Sequence, residues 1–356
     1  MMRILHLAAG NRWTGAAAPA FAEVESLRAA GVDAHYAYVG GYKLQQKIGH
    51  LSYAHPIIEK AQNPISFARS ARAIERLIDH HGFDVLHAHL TYDHWLARMA
   101  TRDKSTAIAR TFHARRVLRG DPLTRSLVRR TATLFVVNDT FRNVPLLRGR
   151  ETFFTPPPLD VEQFTPEGAD ARASYGIAPN TRLVAVIGKL SKDRGFEDAL
   201  RTFALVRASL DDTQLMIIGH GEHRPNLEAL AGELGIENHV VWAGYHEHDL
   251  AEHYRAADVL LFTARGSDEG HRAVLEAMAC GTPALSFPID GIAALFGELP
   301  LISPAATPES LAALTLSVLR DNSDTLRSEV WSRAQEFAYD RAAERLIAAY
   351  VTSSRA

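Results

Sequence analysis

One cysteine, Cys280, occurs in 356 residues, so no disulfide can form within the chain. It sits beside Ala277 and Met278 in an apolar setting, which reads as a small buried side chain, because thiolate chemistry needs an accessible, electropositive surrounding. Long apolar runs are missing too. None approaches the roughly 18 residues of a membrane helix. The opening MMRILHLAAG is too short for a signal-peptide core, so a cytoplasmic address is expected. No helix-turn-helix, zinc-finger or RNA-binding signature is present, and nucleic acid is not an expected partner. Neither half has a complete G-x-G-x-x-G after its first strand, which argues against a dinucleotide-dependent dehydrogenase. Gly10 and Gly15 have the spacing of a phosphate loop, but Ala16 and Ala17 stand where Lys-Ser/Thr would complete it. What survives is a glycine turn at a helix N-terminus, able to meet an anion or a substrate hydroxyl.

An ordinary globular composition remains, 47% hydrophobic and 22% charged with a formal net charge of −2. A chain of this length exceeds one usual core, so two domains are expected. The near-neutral total hides a local excess. Arg98 to Arg150 holds 13 Lys or Arg against three acids, Asp103, Asp121 and Asp139. This is either a solvated helical face or an attraction for an anionic partner, such as a membrane surface or a phosphorylated acceptor.

Strand-like and helix-like segments alternate along the chain. Strands are expected over Arg3–Ala9, Val32–Val39, Phe83–Leu90, Thr106–His113 and Thr133–Asn138, with helices between them. Tyr42 to Pro64 lacks clear periodicity and reads as a surface excursion. TPPPLDVEQFTPEG, from Thr155, cannot be helix or central strand and reads as a linker. After it the alternation restarts, with strands expected over Arg182–Gly188, Gln214–Gly219, Val240–Gly244, Val259–Phe262 and Ala284–Phe287. Arg327 to Tyr350 reads as a helical tail. Such alternation implies two α/β domains with parallel, doubly wound sheets, and a cleft between them is expected to hold ligand.

The segment Asp258 to Pro283 is the clearest single unit: a strand, a polar loop with Asp268 and Glu269, a helix carrying Glu276, and then Gly281 and Pro283 as a stop. Loops at strand carboxyl ends are where such folds bind ligands. In VIGKLSKDRGF, Gly188 precedes Lys189, Lys192 and Arg194 in a loop that opens a helix, an arrangement suited to a diphosphate. A carboxylate such as Glu276 at a strand–helix site commonly accepts from both ribose hydroxyls, so cations and acid together suggest a nucleotide. His87 and His89 face one side of a strand, but a metal site there lacks a third ligand of suitable spacing. His113, at another strand end, is the histidine with the stronger claim to a site role.

These residues resemble a known family. EAMACGTP (Glu276 to Pro283), with VIGKLSKDRG, MIIGHGE, VVWAGY and AADVLLFTA in order, is similar to the retaining GT-B glycosyltransferases of the large family that contains bacterial mannosyltransferases and sucrose and glycogen synthases. LAAGNRWTGAA, DVLHAHL and ARTFHA match more loosely in the first half. The resemblance implies two Rossmann-like domains facing across a cleft: residues 1–160 on the acceptor side, 161–335 holding a nucleotide-sugar donor, and a C-terminal helix, 336–356, crossing back to the first domain. It implies that Glu276 binds ribose and that Asp268 or Glu269 reaches the donor sugar. Asp268 fits by its spacing from Glu276, Glu269 by residue type. Lys189 and Arg194 would hold the diphosphate, Lys standing where Arg is usual and Arg where Lys is usual. His113 would contact the donor sugar, Gly15 would lie near the diphosphate or acceptor, and Tyr245 would border the base pocket. His271 and Arg272 would flank the first acid, with Arg272 pairing either with donor phosphates or with Asp268. Pro157 and Pro158 replace an expected Asn-Gly, and Ala294 an expected Glu.

The implied activity is metal-independent transfer of a sugar, with retention, to a glycan, lipid-linked or other hydroxyl acceptor. No cofactor is expected beyond the donor, in keeping with the absence of an Asp-x-Asp pair. The basic first domain adds an expectation of peripheral contact with the inner face of a membrane. A noncatalytic nucleotide-sugar binder and a nucleotide-sugar epimerase of the same fold are the alternatives.

Overall fold

The structure, a computed structural model, describes residues 2–10, 13, 16–61, 63–246, 248–264, 271–321 and 323–354. The chain divides into two units, Met1–Pro158 together with Phe337–Ala356, and Leu159–Glu336.

In the first unit the apolar runs become β1 (Arg3–Ala8), β2 (Asp33–Val39), β3 (Ala54–Ile58), β4 (Val85–Ala88), β5 (Ala107–Phe112), β6 (Thr133–Val136) and β7 (Phe153–Phe154). They form one parallel sheet in the order β3-β2-β1-β4-β5-β6-β7. Helices cover both faces, which is why strands such as β1 and β2 are buried along nearly their whole length. Ile4, Val24, Leu27 and Tyr350 pack on one face, and Leu7, Ile74, Leu86 and Leu96 on the other. Strand order reverses between β1 and β4, the position where sheets of this kind open for ligands.

The last helix, Tyr339–Ser354, packs against the helix Ala17–Ala29 of this unit, and the Ser26 hydroxyl donates to the Tyr339 carbonyl. The expected return of the C-terminal helix to the first domain is therefore borne out.

The second unit contains β8 (Arg182–Ile187), β9 (Thr213–Ile218), β10 (Val240–Gly244), β11 (Val259–Phe262) and β12 (Ala284–Ser286), parallel in the order β10-β9-β8-β11-β12. Its order reverses between β8 and β11. Asp258 ties these two strands at their amino ends, accepting from the Leu183 amide at 2.7 Å, Arg172 Nη2 at 2.8 Å and Arg327 Nη2 at 3.0 Å.

One expectation fails and another is refined. Tyr42 to Pro64 is no simple excursion: it forms the helix Lys43–Ile48 and the edge strand β3. Pro56 lies within β3, tolerable only because an edge strand has one side without ladder bonds, and that proline disguises the segment. The tail is also two helices, Asp324–Gln335 and Tyr339–Ser354, and the junction between them is where the chain passes from one unit to the other.

Candidate active site

The second unit's site is built at the carboxyl ends of its strands, where close backbone packing fixes the loops. Gly219, after β9, has φ +145°, and a Cβ there would stand 1.9 Å from the Gly188 carbonyl oxygen after β8. Gly195 has φ +72°, and its Cβ would meet the Thr263 carbonyl oxygen, after β11, at 2.2 Å. Only glycine fits either place. Hydrogen bonds continue the lock: the Leu190 amide donates to the His220 carbonyl at 3.0 Å, and the Thr263 hydroxyl to the Gly195 carbonyl at 2.8 Å. Gly188, Leu190 and Gly195 after β8, Gly219 and His220 after β9, and Thr263 after β11 thus form one interlocked rim.

Lys189 lies on that rim, mostly exposed, with Nζ 3.8 Å from Glu222 Oε1. An exposed pair this loose contributes little to stability and leaves the ammonium available to a stronger anion. Arg194 closes the short turn Lys192–Arg194, immediately before Gly195 and the helix Phe196–Arg207. Tyr245 follows β10, is 61% exposed, and meets the His220 ring edge-on at 5.2 Å. An exposed aromatic face at a strand's carboxyl end suits a stacked base.

Glu276 lies in the helix His271–Ala279, 5% exposed. Its Oε1 accepts from Arg272 Nε at 2.6 Å and its Oε2 from the Tyr254 hydroxyl at 3.0 Å. Burial raises its pKa, while Arg272 and Tyr254 oppose that shift. A carboxylate has about four lone-pair positions, so these two partners among the described residues leave two for ligand hydroxyls. Arg272 therefore pairs with Glu276, a partner that the sequence reading did not consider for it. His271 is 3% exposed at the start of the helix, its ring 6.1 Å from that of Phe262. Asp268, Glu269 and Gly15 lie outside the described residues.

His113, in the first unit, is 8% exposed, and burial pushes its pKa down to about 3. It is a neutral imidazole at physiological pH. Its Nε2 is 3.0 Å from His89 Nδ1. The basic stretch is partly internal: Arg110 is 2% exposed, and Arg150 donates to the Thr131 carbonyl at 2.8 Å. Arg98, Arg102 and Arg130 instead line a surface groove of about 580 Å³ with Phe67, Tyr92, Trp95 and Met99.

Sequence reasoning missed Tyr254, which lies 22 positions before Glu276 on another helix and has no spacing signal. It also missed His220 and Glu222, although both lie in the MIIGHGE motif. Cys280 is buried, and its thiol is pushed up to about 12 by that burial, as its apolar setting implied.

Residues 169–337 match the family described as Glycosyl transferases group 1, and residues 13–143 match Glycosyltransferase Family 4. A D-inositol 3-phosphate glycosyltransferase of Geodermatophilus obscurus is 31% identical over 218 residues, covering 58% of this chain and 48% of that protein. A GDP-mannose-dependent alpha-(1-6)-phosphatidylinositol monomannoside mannosyltransferase of Mycolicibacterium smegmatis is 34% identical over 142 residues, 37% of each chain. The chain spans about half the length, or less, of these curated relatives. Among solved structures, sucrose-phosphate synthase from Thermosynechococcus elongatus superposes with a TM-score of 0.80 at 18% identity over 99% of both chains. Anabaena HepE in complex with UDP gives 0.80 at 15% identity, over 99% of this chain and 100% of that one. The fold is thus GT-B, and with Glycosyltransferase Family 4 matching residues 13–143 and Glycosyl transferases group 1 matching residues 169–337, the chain belongs to glycosyltransferase family 4.

Proposed function

We propose that the protein is a retaining glycosyltransferase that moves a sugar from a nucleotide-sugar donor to a hydroxyl acceptor without a metal in the reaction. The observation that carries this reading is Glu276, a buried carboxylate held by Arg272 and Tyr254, with two lone-pair positions not taken up by any described residue, on the helix that follows β11 at the sheet's switch point. It is the group to accept from both ribose hydroxyls. Lys189 and Arg194, on the glycine-locked rim, take the diphosphate, and Tyr245 borders the base. Asp268 or Glu269 reaches the sugar hydroxyls, and His113 contacts the donor sugar.

In the transfer step the bond from the anomeric carbon to the diphosphate oxygen breaks, and a bond to the acceptor oxygen forms on the same face. The acceptor proton passes to a departing phosphate oxygen. Positive charge develops on the ring and negative charge on the leaving group, so Lys189, Arg194 and the amides of the rim supply electrostatic stabilisation.

Relatives that act on inositol phosphate and on a phosphatidylinositol mannoside support a phosphate-bearing acceptor, and the basic first unit suits one. The groove with Trp95, Met99, Arg98 and Arg102 supports peripheral contact with an anionic membrane from the cytoplasmic side. The donor's base stays open, because one relative is named for GDP-mannose and one structural neighbour was solved with UDP.

The test is incubation with UDP-, GDP- and ADP-sugars and a panel of acceptors that includes inositol phosphate and phosphatidylinositol vesicles. Nucleotide release and the product's anomeric configuration are read by NMR. Acceptor-dependent release with a retained anomer is expected. An inverted product, or interconversion of free nucleotide sugar without an acceptor, would overturn the reading.

A further inference from the structure

His87 and His89 lack a third metal ligand in the sequence pattern, yet the fold brings two more candidates to them. His6 on β1 is the register partner of His87 on β4. Glu23 comes from the helix that follows β1, on the same sheet face. All four side chains are 0–1% exposed. Their donor atoms converge. His6 Nδ1 lies 3.0 Å from His89 Nε2, and Glu23 Oε2 lies 3.6 Å from His6 Nδ1, 3.6 Å from His87 Nδ1 and 3.7 Å from His89 Nε2.

Bonds of about 2.0–2.1 Å to nitrogen and oxygen place tetrahedral ligand atoms about 3.3 Å apart. The four separations bracket that value. Glu23 Oε2 is enclosed and has no hydrogen-bond partner among the described residues. A buried carboxylate oxygen without a donor is costly, and a cation is the ligand that relieves it. The far sides of two rings are already held as metal ligands usually are. His87 Nε2 is 2.7 Å from Thr111 Oγ1, and His89 Nδ1 is 3.0 Å from His113 Nε2.

We propose that His6, Glu23, His87 and His89 form a structural site for a divalent transition ion of the zinc class, three imidazoles and one carboxylate in tetrahedral array. The ion pins β1, β4 and the helix Ala17–Ala29 together and takes no part in the transfer reaction. It also fixes a tautomer. With His89 Nε2 on the metal, Nδ1 carries the proton and donates to His113 Nε2, so the proton of neutral His113 sits on Nδ1. The Tyr350 hydroxyl, 2.6 Å from His87 Nδ1, competes for the lone pair that the metal would use.

Among the described residues two other groups could take up metal, His35 with His55 and His81, and His246 with Asp249 and His253. The experiment therefore uses the full chain carrying His81→Ala and His253→Ala, titrated with Co²⁺ and then with Zn²⁺. One equivalent of Co²⁺ should give the intense visible absorption of a tetrahedral ion, and Zn²⁺ should displace it and raise the melting temperature. Adding Glu23→Gln should weaken binding at least about tenfold. Tyr350→Phe should tighten it about two- to tenfold, the worth of one hydrogen bond. The proposal is overturned by no uptake, by the pale spectrum of octahedral cobalt, by equal affinity in Glu23→Gln, or by weaker binding in Tyr350→Phe. The cobalt spectrum decides alone if a variant does not fold.

Discussion

Tyr254 donates its hydroxyl hydrogen to Glu276 Oε2 across 3.0 Å, and both side chains are buried. The bond joins the helix Leu250–Ala256, which leads into β11, to the helix His271–Ala279, which follows it. With Arg272 on the other oxygen, it fixes the plane of the carboxylate. Tyr254→Phe removes the bond without changing the ring. It should raise the donor KM about three- to tenfold with little change in kcat, and lower stability by about 1 kcal/mol. Steady-state kinetics with varied donor, together with urea unfolding, check both effects.

The rim's geometry predicts a contrast between two glycines. Gly195→Ala puts a Cβ 2.2 Å from the Thr263 carbonyl oxygen in a left-handed conformation, and should cost about 2 kcal/mol or more. Gly232, inside the helix Arg224–Glu233, has nothing within 4 Å of an added Cβ. Gly232→Ala should stabilise the protein by about 0.5–1 kcal/mol. Melting temperatures of the two variants should move in opposite directions.

A pH dependence follows from the edge of the first sheet. His55 on β3 has its Nε2 2.8 Å from His35 Nδ1, and its pKa is lowered to about 4, first by burial and then by His35 and His81. His35 is lowered too, chiefly by burial, with Asp33 opposing. The unfolded chain binds protons on these rings near pH 6.5, while in the folded chain His55 resists until about pH 4 and His35 is also held below its ordinary value. Their contribution is thus present above pH 6.5 and is lost as pH falls through that window. Urea midpoints measured between pH 7 and pH 4 should fall, and His55→Gln should flatten the slope.

The sequence disclosed the frame of the second unit almost to the residue. Val240–Gly244 and Val259–Phe262 are strands at the expected bounds, and Gly281, with φ +72°, caps its helix as expected. Val259–Phe262 is legible because a strand buried on both faces is a continuous apolar run, Val240–Gly244 because this half-buried edge strand still carries Val-Val-Trp-Ala before a glycine, and Gly281 because a left-handed cap needs glycine. β3 was not legible, since its proline and half-exposed face erase the pattern, and β7 is only two residues long. For the candidate site, residue type and motif pointed to Glu276 and Lys189, but not to Tyr254. Partners met across 22 residues, like Glu23 meeting His87 and His89, depend on how helices pack on strands, and no local spacing records that.

The proposed role of Glu276 as the ribose-binding acid of a nucleotide-sugar site is tested most directly by calorimetric titration of UDP-, GDP- and ADP-sugars into the wild-type chain and Glu276→Ala. One of the three nucleotide classes should bind the wild type and bind Glu276→Ala at least about tenfold more weakly, a loss of about 1.4 kcal/mol or more, with the variant's melting temperature near that of the wild type. Equal affinity in a folded Glu276→Ala, or no binding of any nucleotide sugar to the wild type, would contradict the account.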